Sequence, residues 1–142
     1  MTWMYKGEEF TDPTPKEVGF VYLITNNTTG RRYIGKKLFW FTKSKQVKGR
    51  RKRTKVESDW RQYWSSSDEL KADVERLGES NFTREILHVC GNKGQCNYLE
   101  AKEQFIREVL EYPDDWYNGQ IQVRVHRAHV KRQIWESQST DR

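Results

Sequence analysis

The chain has 142 residues, 32% charged and 35% hydrophobic, enough to close one core without disulfides or a structural metal. Two cysteines exclude a disulfide framework, and no apolar run approaches the roughly 20 residues of a membrane span. Nothing resembles a signal peptide, so a cytoplasmic protein without a membrane partner is expected.

In chain order, residues 1–18 carry Pro13 and Pro15 and predict an irregular lead-in. GFVYLIT, from Gly19, is apolar on both faces and predicts a central strand. NNTTG supplies turn chemistry, with Gly30 suited to positive φ, and RRYIGKK returns as a second strand. A hairpin folded about Asn27 and Thr28 would set Tyr22 opposite Tyr33 and Phe20 opposite Gly35. Directly opposed side chains share a face, about 5 Å apart at Cβ. Two phenols converging beside a glycine make a polar site able to take a phosphate.

The net charge of +6 is concentrated in residues 43–55, KSKQVKGRRKRTK, which hold eight basic residues and no acid. Like charges resist folding against one another, so this insertion, 38–56, is expected to be a mobile loop when free. Lys48, Arg50, Arg51, Lys52, Arg53 and Lys55 are candidate contacts to a nucleic-acid backbone. Phe39, Trp40 and Phe41 before the loop, and Trp60 and Trp64 after it, offer rings for stacking on bases.

SDWRQYW predicts a short helix or turn, and Ser66 with Glu69 a capping box opening a helix that stops at Gly78. Residues 81–90 predict a third strand and GNKGQ a loop. Residues 97–112 predict a helix with an apolar stripe through Tyr98, Ala101, Phe105, Ile106, Val109 and Leu110, while Glu100, Gln104 and Arg107 lie along another side. Pro113 ends it. His88, Cys90 and Cys96 cluster three potential metal ligands but lack the fourth that a closed zinc site requires. The extension 120–142, with Arg124, Arg127, Lys131 and Arg132 among apolar residues, is expected to pack on the domain and add basic surface.

Tyr33-Ile34-Gly35, preceded by Phe20-Val21-Tyr22 and followed by a helix, NFTREIL, YLEAKEQFI and Trp116-Tyr117-Asn118, resembles the GIY-YIG nucleases over about residues 19–119. The second signature matches in full, whereas the first keeps only its tyrosine. The resemblance implies an α+β domain, a three-stranded, mostly antiparallel sheet flanked by helices. It also implies a metal-dependent DNA endonuclease that uses magnesium or manganese and no small-molecule cofactor. Stand-alone proteins of this kind are frequent among phage-borne homing-type nucleases, which would place the chain in the host cytoplasm. The rival class is a nucleic-acid-binding module that kept the fold and lost the chemistry.

Residue by residue, the resemblance makes Tyr22 and Tyr33 the phenols that act on attacking water and phosphate. Glu100 becomes the ligand of a divalent cation, Asn118 a supporting residue and Gly35 the point of close backbone approach. The bland readings are a surface acid beside Lys102 for Glu100 and a simple Asn-Gly turn for Asn118. The family's arginine cannot be located by counting across the insertion. Arg61, on the SDWRQYW element, is the choice, with Arg53 and its neighbours as alternatives, and Lys36, Lys37 and Trp60 are further candidates for touching DNA.

Overall fold

The computed structural model describes residues 2–130. Its main sheet has five strands: β1 (Trp3–Tyr5), β2 (Glu8–Phe10), β3 (Gly19–Asn26), β4 (Arg32–Leu38) and, later in the chain, β7 (Phe82–Cys90). They lie in the order β2-β1-β7-β3-β4. A separate two-stranded ribbon joins β5 (Trp40–Val47) to β6 (Arg50–Glu57), and two helices follow, α1 (Asp68–Leu77) and α2 (Lys93–Ile106). The α+β class agrees with expectation; the three-stranded sheet needs correction. β4, β3 and β7 are the expected antiparallel strands, but the lead-in adds two more, and β1 runs parallel to β7.

The lead-in is ordered because of its aromatic residues. Trp3 is buried, packs edge-on against Phe20 and Tyr22 at 5.0 and 5.2 Å, and donates its indole N–H to the Trp60 carbonyl at 2.8 Å. Between β1 and β2, Lys6 and Gly7 both take positive φ, as a tight two-residue turn requires.

The β3–β4 hairpin forms as expected, but in another register. Tyr22 pairs with Gly35, Ile24 with Tyr33 and Phe20 with Lys37. The loop is longer than two residues because the Asn26 carboxamide accepts from the Thr28 and Thr29 amides, and the Gly30 amide donates back to the Asn26 carbonyl. The pairing slides by two positions, which preserves the alternation of faces. Both tyrosines therefore remain on one side of the sheet, diagonal rather than opposite.

The basic insertion is the second correction. It is a β-ribbon, closed by Lys48 and Gly49 at φ +50° and +77°, with pairs running from Trp40↔Glu57 to Val47↔Arg50. α1 is capped by Ser67, not Ser66: its hydroxyl accepts from the Leu70 amide at 3.2 Å. Gly78 ends the helix at φ +90°, as expected. α2 starts earlier than expected, at the Asn92 cap whose side chain accepts from Gln95, so the presumed GNKGQ loop is its first turn. It also ends earlier. Phe105 and Ile106, assigned to the apolar stripe, are 62% and 64% exposed, and the buried face is Gln95, Cys96, Leu99, Ala101 and Gln104.

Two cores sandwich the sheet. One gathers Trp3, Phe20, Tyr22, Phe39, Trp60, Leu70 and Phe82 on the α1 side; the other packs Val21, Leu23, Ile34, Cys90, Cys96 and Leu99 beneath α2. No helix among the described residues is long and apolar enough to cross a membrane.

Candidate active site

The site grows from Gly35. A Cβ there would stand 2.3 Å from the Tyr22 hydroxyl oxygen, 2.5 Å from its Cζ and 2.8 Å from Tyr33 Cε1. Its φ is ordinary, so glycine is required by the ring laid across the backbone and not by conformation. The two phenol rings lie 6.1 Å apart at 32°. Tyr22 is 1% exposed, and its ring meets edge-on, at 6.1 Å, that of Tyr63, which follows the 3-10 turn Trp60–Gln62; the two phenols are electrostatically coupled. Tyr63 in turn reaches Ser66, whose hydroxyl is 3.2 Å from that of Tyr33. Tyr22, Tyr63, Ser66 and Tyr33 thus form one hydroxyl network. Tyr63 and Ser66 escaped sequence reading as site residues; their place just after the insertion, close in number to Arg61, was the available signal.

The network is anchored from behind. Arg84 of β7 donates to the Tyr63 carbonyl at 2.9 Å, its guanidinium held between the rings of Trp3 and Trp64 at 4.6 and 4.5 Å. Burial lowers its pKa to about 10, which leaves it charged at neutral pH. In front, Asn118 clamps the strand: its carboxamide accepts from the Ile34 amide at 3.1 Å and donates to the Ile34 carbonyl at 2.8 Å. Gln104 of α2 donates to the same carbonyl at 3.2 Å. With Arg32 and Tyr117 bonded through their backbones, residues 115–118 shield the outer edge of β4. Asn118 therefore pins the peptide between Tyr33 and Gly35 rather than merely making a turn.

Glu100 projects from α2 toward this edge. Its side chain is only 14% exposed, and among the described residues its ion-pair partner is Lys36 at 3.9 Å. Burial raises its carboxyl pKa, and Lys36 only partly opposes this. Burial is also the first cause that raises both phenols, with Glu100 adding to each, so Tyr22 and Tyr33 are protonated at neutral pH. No cluster of three or more metal-ligating side chains exists among the described residues. A lone, under-neutralised carboxylate still fits magnesium, which keeps several waters and takes one or two protein carboxylates alongside substrate phosphate oxygens.

The remaining candidates separate. Lys37 lies beside the network, its ammonium 4.1 Å from the Tyr63 ring, 5.2 Å from that of Phe41 and 2.6 Å from Asp59. Lys36 bonds Asn97 on the Glu100 side. Trp60 is corrected outright: at 1% exposure, packed on Phe20 and Phe39, it has no face for a base. Arg61 is bound at 2.8 Å to both Glu57 and Asp12 and stacks on Trp60; none of these partners belongs to the hydroxyl network. Lys48, Arg50, Arg51, Lys52, Arg53 and Lys55 are all exposed on the ribbon. His88 faces Glu103 at 3.3 Å while Cys90 and Cys96 are buried together. Arg124 and Arg127 are exposed on a segment whose His129 abuts Gly94 of α2; Lys131 and Arg132 lie outside the described residues.

The family model described as "Putative endonuclease segE, GIY-YIG domain" matches residues 3–121. No curated protein and no solved structure matches the chain.

Proposed function

From a chain that belongs to the GIY-YIG nuclease family, we propose a metal-dependent endonuclease that hydrolyses phosphodiester bonds in DNA. The observation that carries this reading is a half-buried, under-neutralised Glu100 whose charge acts on two phenols crossed over Gly35. A lost-function module would have no reason to keep a costly carboxylate there.

Glu100 would hold the cation, magnesium or manganese, which when bound supplies positive charge to the phosphate and the leaving oxygen. Tyr33, less buried than Tyr22 and bonded to Ser66, is the phenol that meets substrate. As a protonated phenol it donates to a phosphate oxygen or orients water; a resting phenolate is excluded by its raised pKa. Tyr22 acts from beneath, fixing Tyr63 and the strand at Gly35. Lys36 and Lys37, on either side, supply the cationic donors for the transition state. Arg61 would have to abandon Asp12 and Glu57 to take that role, and its part is structural.

Plasmid nicking with and without magnesium tests the reading, with Glu100→Gln as the decisive variant. Magnesium-dependent cleavage that Glu100→Gln abolishes, with DNA binding kept, is expected. Equal cleavage by both proteins removes Glu100 from the chemistry.

A further inference from the structure

The ribbon has two unlike faces. Pairing and strand alternation set Phe41, Lys43, Lys45, Val47, Arg50 and Lys52 on one, with Thr54 and Val56. The other carries Trp40, Thr42, Ser44, Gln46, Arg51, Arg53, Lys55 and Glu57. The first face has four cations and no acid; the second has three cations and an acid. On the first, Lys45 sits directly across from Lys52, with Lys43 and Arg50 at the diagonals. No ion pair among the described residues involves any of them. Such crowding opposes pairing, and an external polyanion relieves it.

The base of the ribbon shows which way each face looks. Phe41, on the lysine face, shares the Lys37 ammonium with Tyr63, so that face runs on from the hydroxyl network. Trp40 and Lys55, on the other face, bond the Glu17 and Pro15 carbonyls of the lead-in. Resting on the nuclease reading above, we infer that Lys43, Lys45, Arg50 and Lys52 form a one-sided track for duplex DNA. The track continues from the catalytic centre in one direction only. Eight residues of strand extend about 26 Å, the length of about seven or eight base pairs. The contact is with phosphates: four ammonium and guanidinium groups, unaccompanied by acids, match the charge of a backbone. A two-stranded ribbon also fits the major groove of a B-form duplex, which the deep, narrow groove of an RNA duplex would refuse.

The test is binding of a labelled DNA duplex to the full chain in EDTA, over a series of salt concentrations. Lys43→Gln/Lys45→Gln/Arg50→Gln/Lys52→Gln should flatten the slope of log affinity against log salt by about three to four units. Arg51→Gln/Arg53→Gln/Lys55→Gln, the opposite face, should change it by less than about one, and also serves as the control for ribbon folding. Swapping Lys for Arg and Arg for Lys at the first four positions should leave the slope intact. Equal flattening by the two glutamine sets, no flattening by the first, or equal affinity for an RNA duplex would each overturn the track. Once a cut is mapped, trimming the duplex to under about seven base pairs should weaken wild-type binding on one side of it alone. Symmetric sensitivity would count against the inference. Because the binding arm needs no cleavage, face-dependent binding by an inactive protein would sink the hydrolytic reading and leave the track standing.

Discussion

Two hairpins of similar length leave the same stretch of chain, and they have opposite physical characters. β3–β4 is buried on both faces along β3, clamped at Ile34 of β4 by Asn118 and Gln104, and closed by a loop whose geometry Asn26 dictates. β5–β6 is exposed, carries like charges across from each other, and meets the body through a few contacts at its base. The first holds atoms in place to within the tolerance that chemistry demands. The second has charge and reach but little to fix it. The proposed function would thus divide positioning and capture between neighbouring hairpins joined through Phe39, and substitutions in the two should fail in different ways.

The largest effect is expected in the rigid hairpin's chemistry. Glu100→Gln should lower the single-turnover cleavage rate by about a thousandfold or more, with DNA affinity in EDTA within about twofold, because the loss is confined to the transition state. The same change should raise stability at neutral pH. A carboxylate whose folded pKa is raised favours folding below its unfolded pKa and loses that contribution as pH climbs through the folded value. The advantage of Glu100→Gln should therefore disappear in acid. A thermal melt series across pH checks the sign, and a variant less stable than wild type at pH 7 would contradict it.

Gly35→Ala comes next. The new methyl would have to displace the Tyr22 ring or the backbone, and overpacking of this kind costs about 1–3 kcal/mol. Activity should fall further than stability, since Tyr22 and Tyr33 move together. Asn118→Ala leaves the Ile34 amide without its partner and the carbonyl with Gln104 alone, and should cost about 1–3 kcal/mol, read by urea denaturation. If Asn118 merely served the turn before Gly119, Asn118→Gly would be nearly silent.

Much of the rigid hairpin was legible in sequence because its signals are local. Alternation put Tyr22 and Tyr33 on one face whichever even slide the register took, whereas the close approach at Gly35 came from the family resemblance, the expected register having set that glycine opposite Phe20. The register itself was not legible, since a side-chain-to-backbone bond at Asn26 decides the loop. Tyr63, Ser66 and Arg84 join the site through contacts that span the insertion, and no periodicity reports those. β1 and β2 were missed because three residues are too few to show a pattern. The ribbon was read as a mobile loop because its charge hid its strands, although Lys48-Gly49 is a serviceable two-residue turn. Trp60 reads as a base-stacking ring because it flanks the basic run, and burial against Phe20 removes its free face. Arg61 reads as the family's arginine because a short helix would hold it, and no sequence signal reports its pairs to Asp12 and Glu57.

A smaller effect probes the ion pair at the outer edge of the rigid hairpin. With Glu100 as the proposed cation ligand, catalysis would need it ionised, so cleavage at subsaturating magnesium should rise with pH through a midpoint above the ordinary glutamate range. Lys36→Met removes the nearest opposing charge and should push that midpoint higher. The same midpoint in both proteins would mean that another group is being titrated.

The smallest effect belongs to the ribbon and carries two opposite signs. Lys52→Glu places an acid directly across from Lys45 and diagonal to Lys43, turning a repulsive pair into an attractive one worth roughly 0.2–1 kcal/mol to local pairing. Global melting should hardly move, because the ribbon adds little to either core. Amide hydrogen exchange within β5 and β6 should slow by up to about fivefold, the rate equivalent of that pairing gain. DNA affinity at low salt should fall at the same time, since a phosphate contact is replaced by a repulsive carboxylate. In the rigid hairpin, order and function move together; here a more ordered ribbon should bind less. If Lys52→Glu speeds exchange, or slows it while leaving affinity untouched, then crowded charge is not what keeps the ribbon open for DNA.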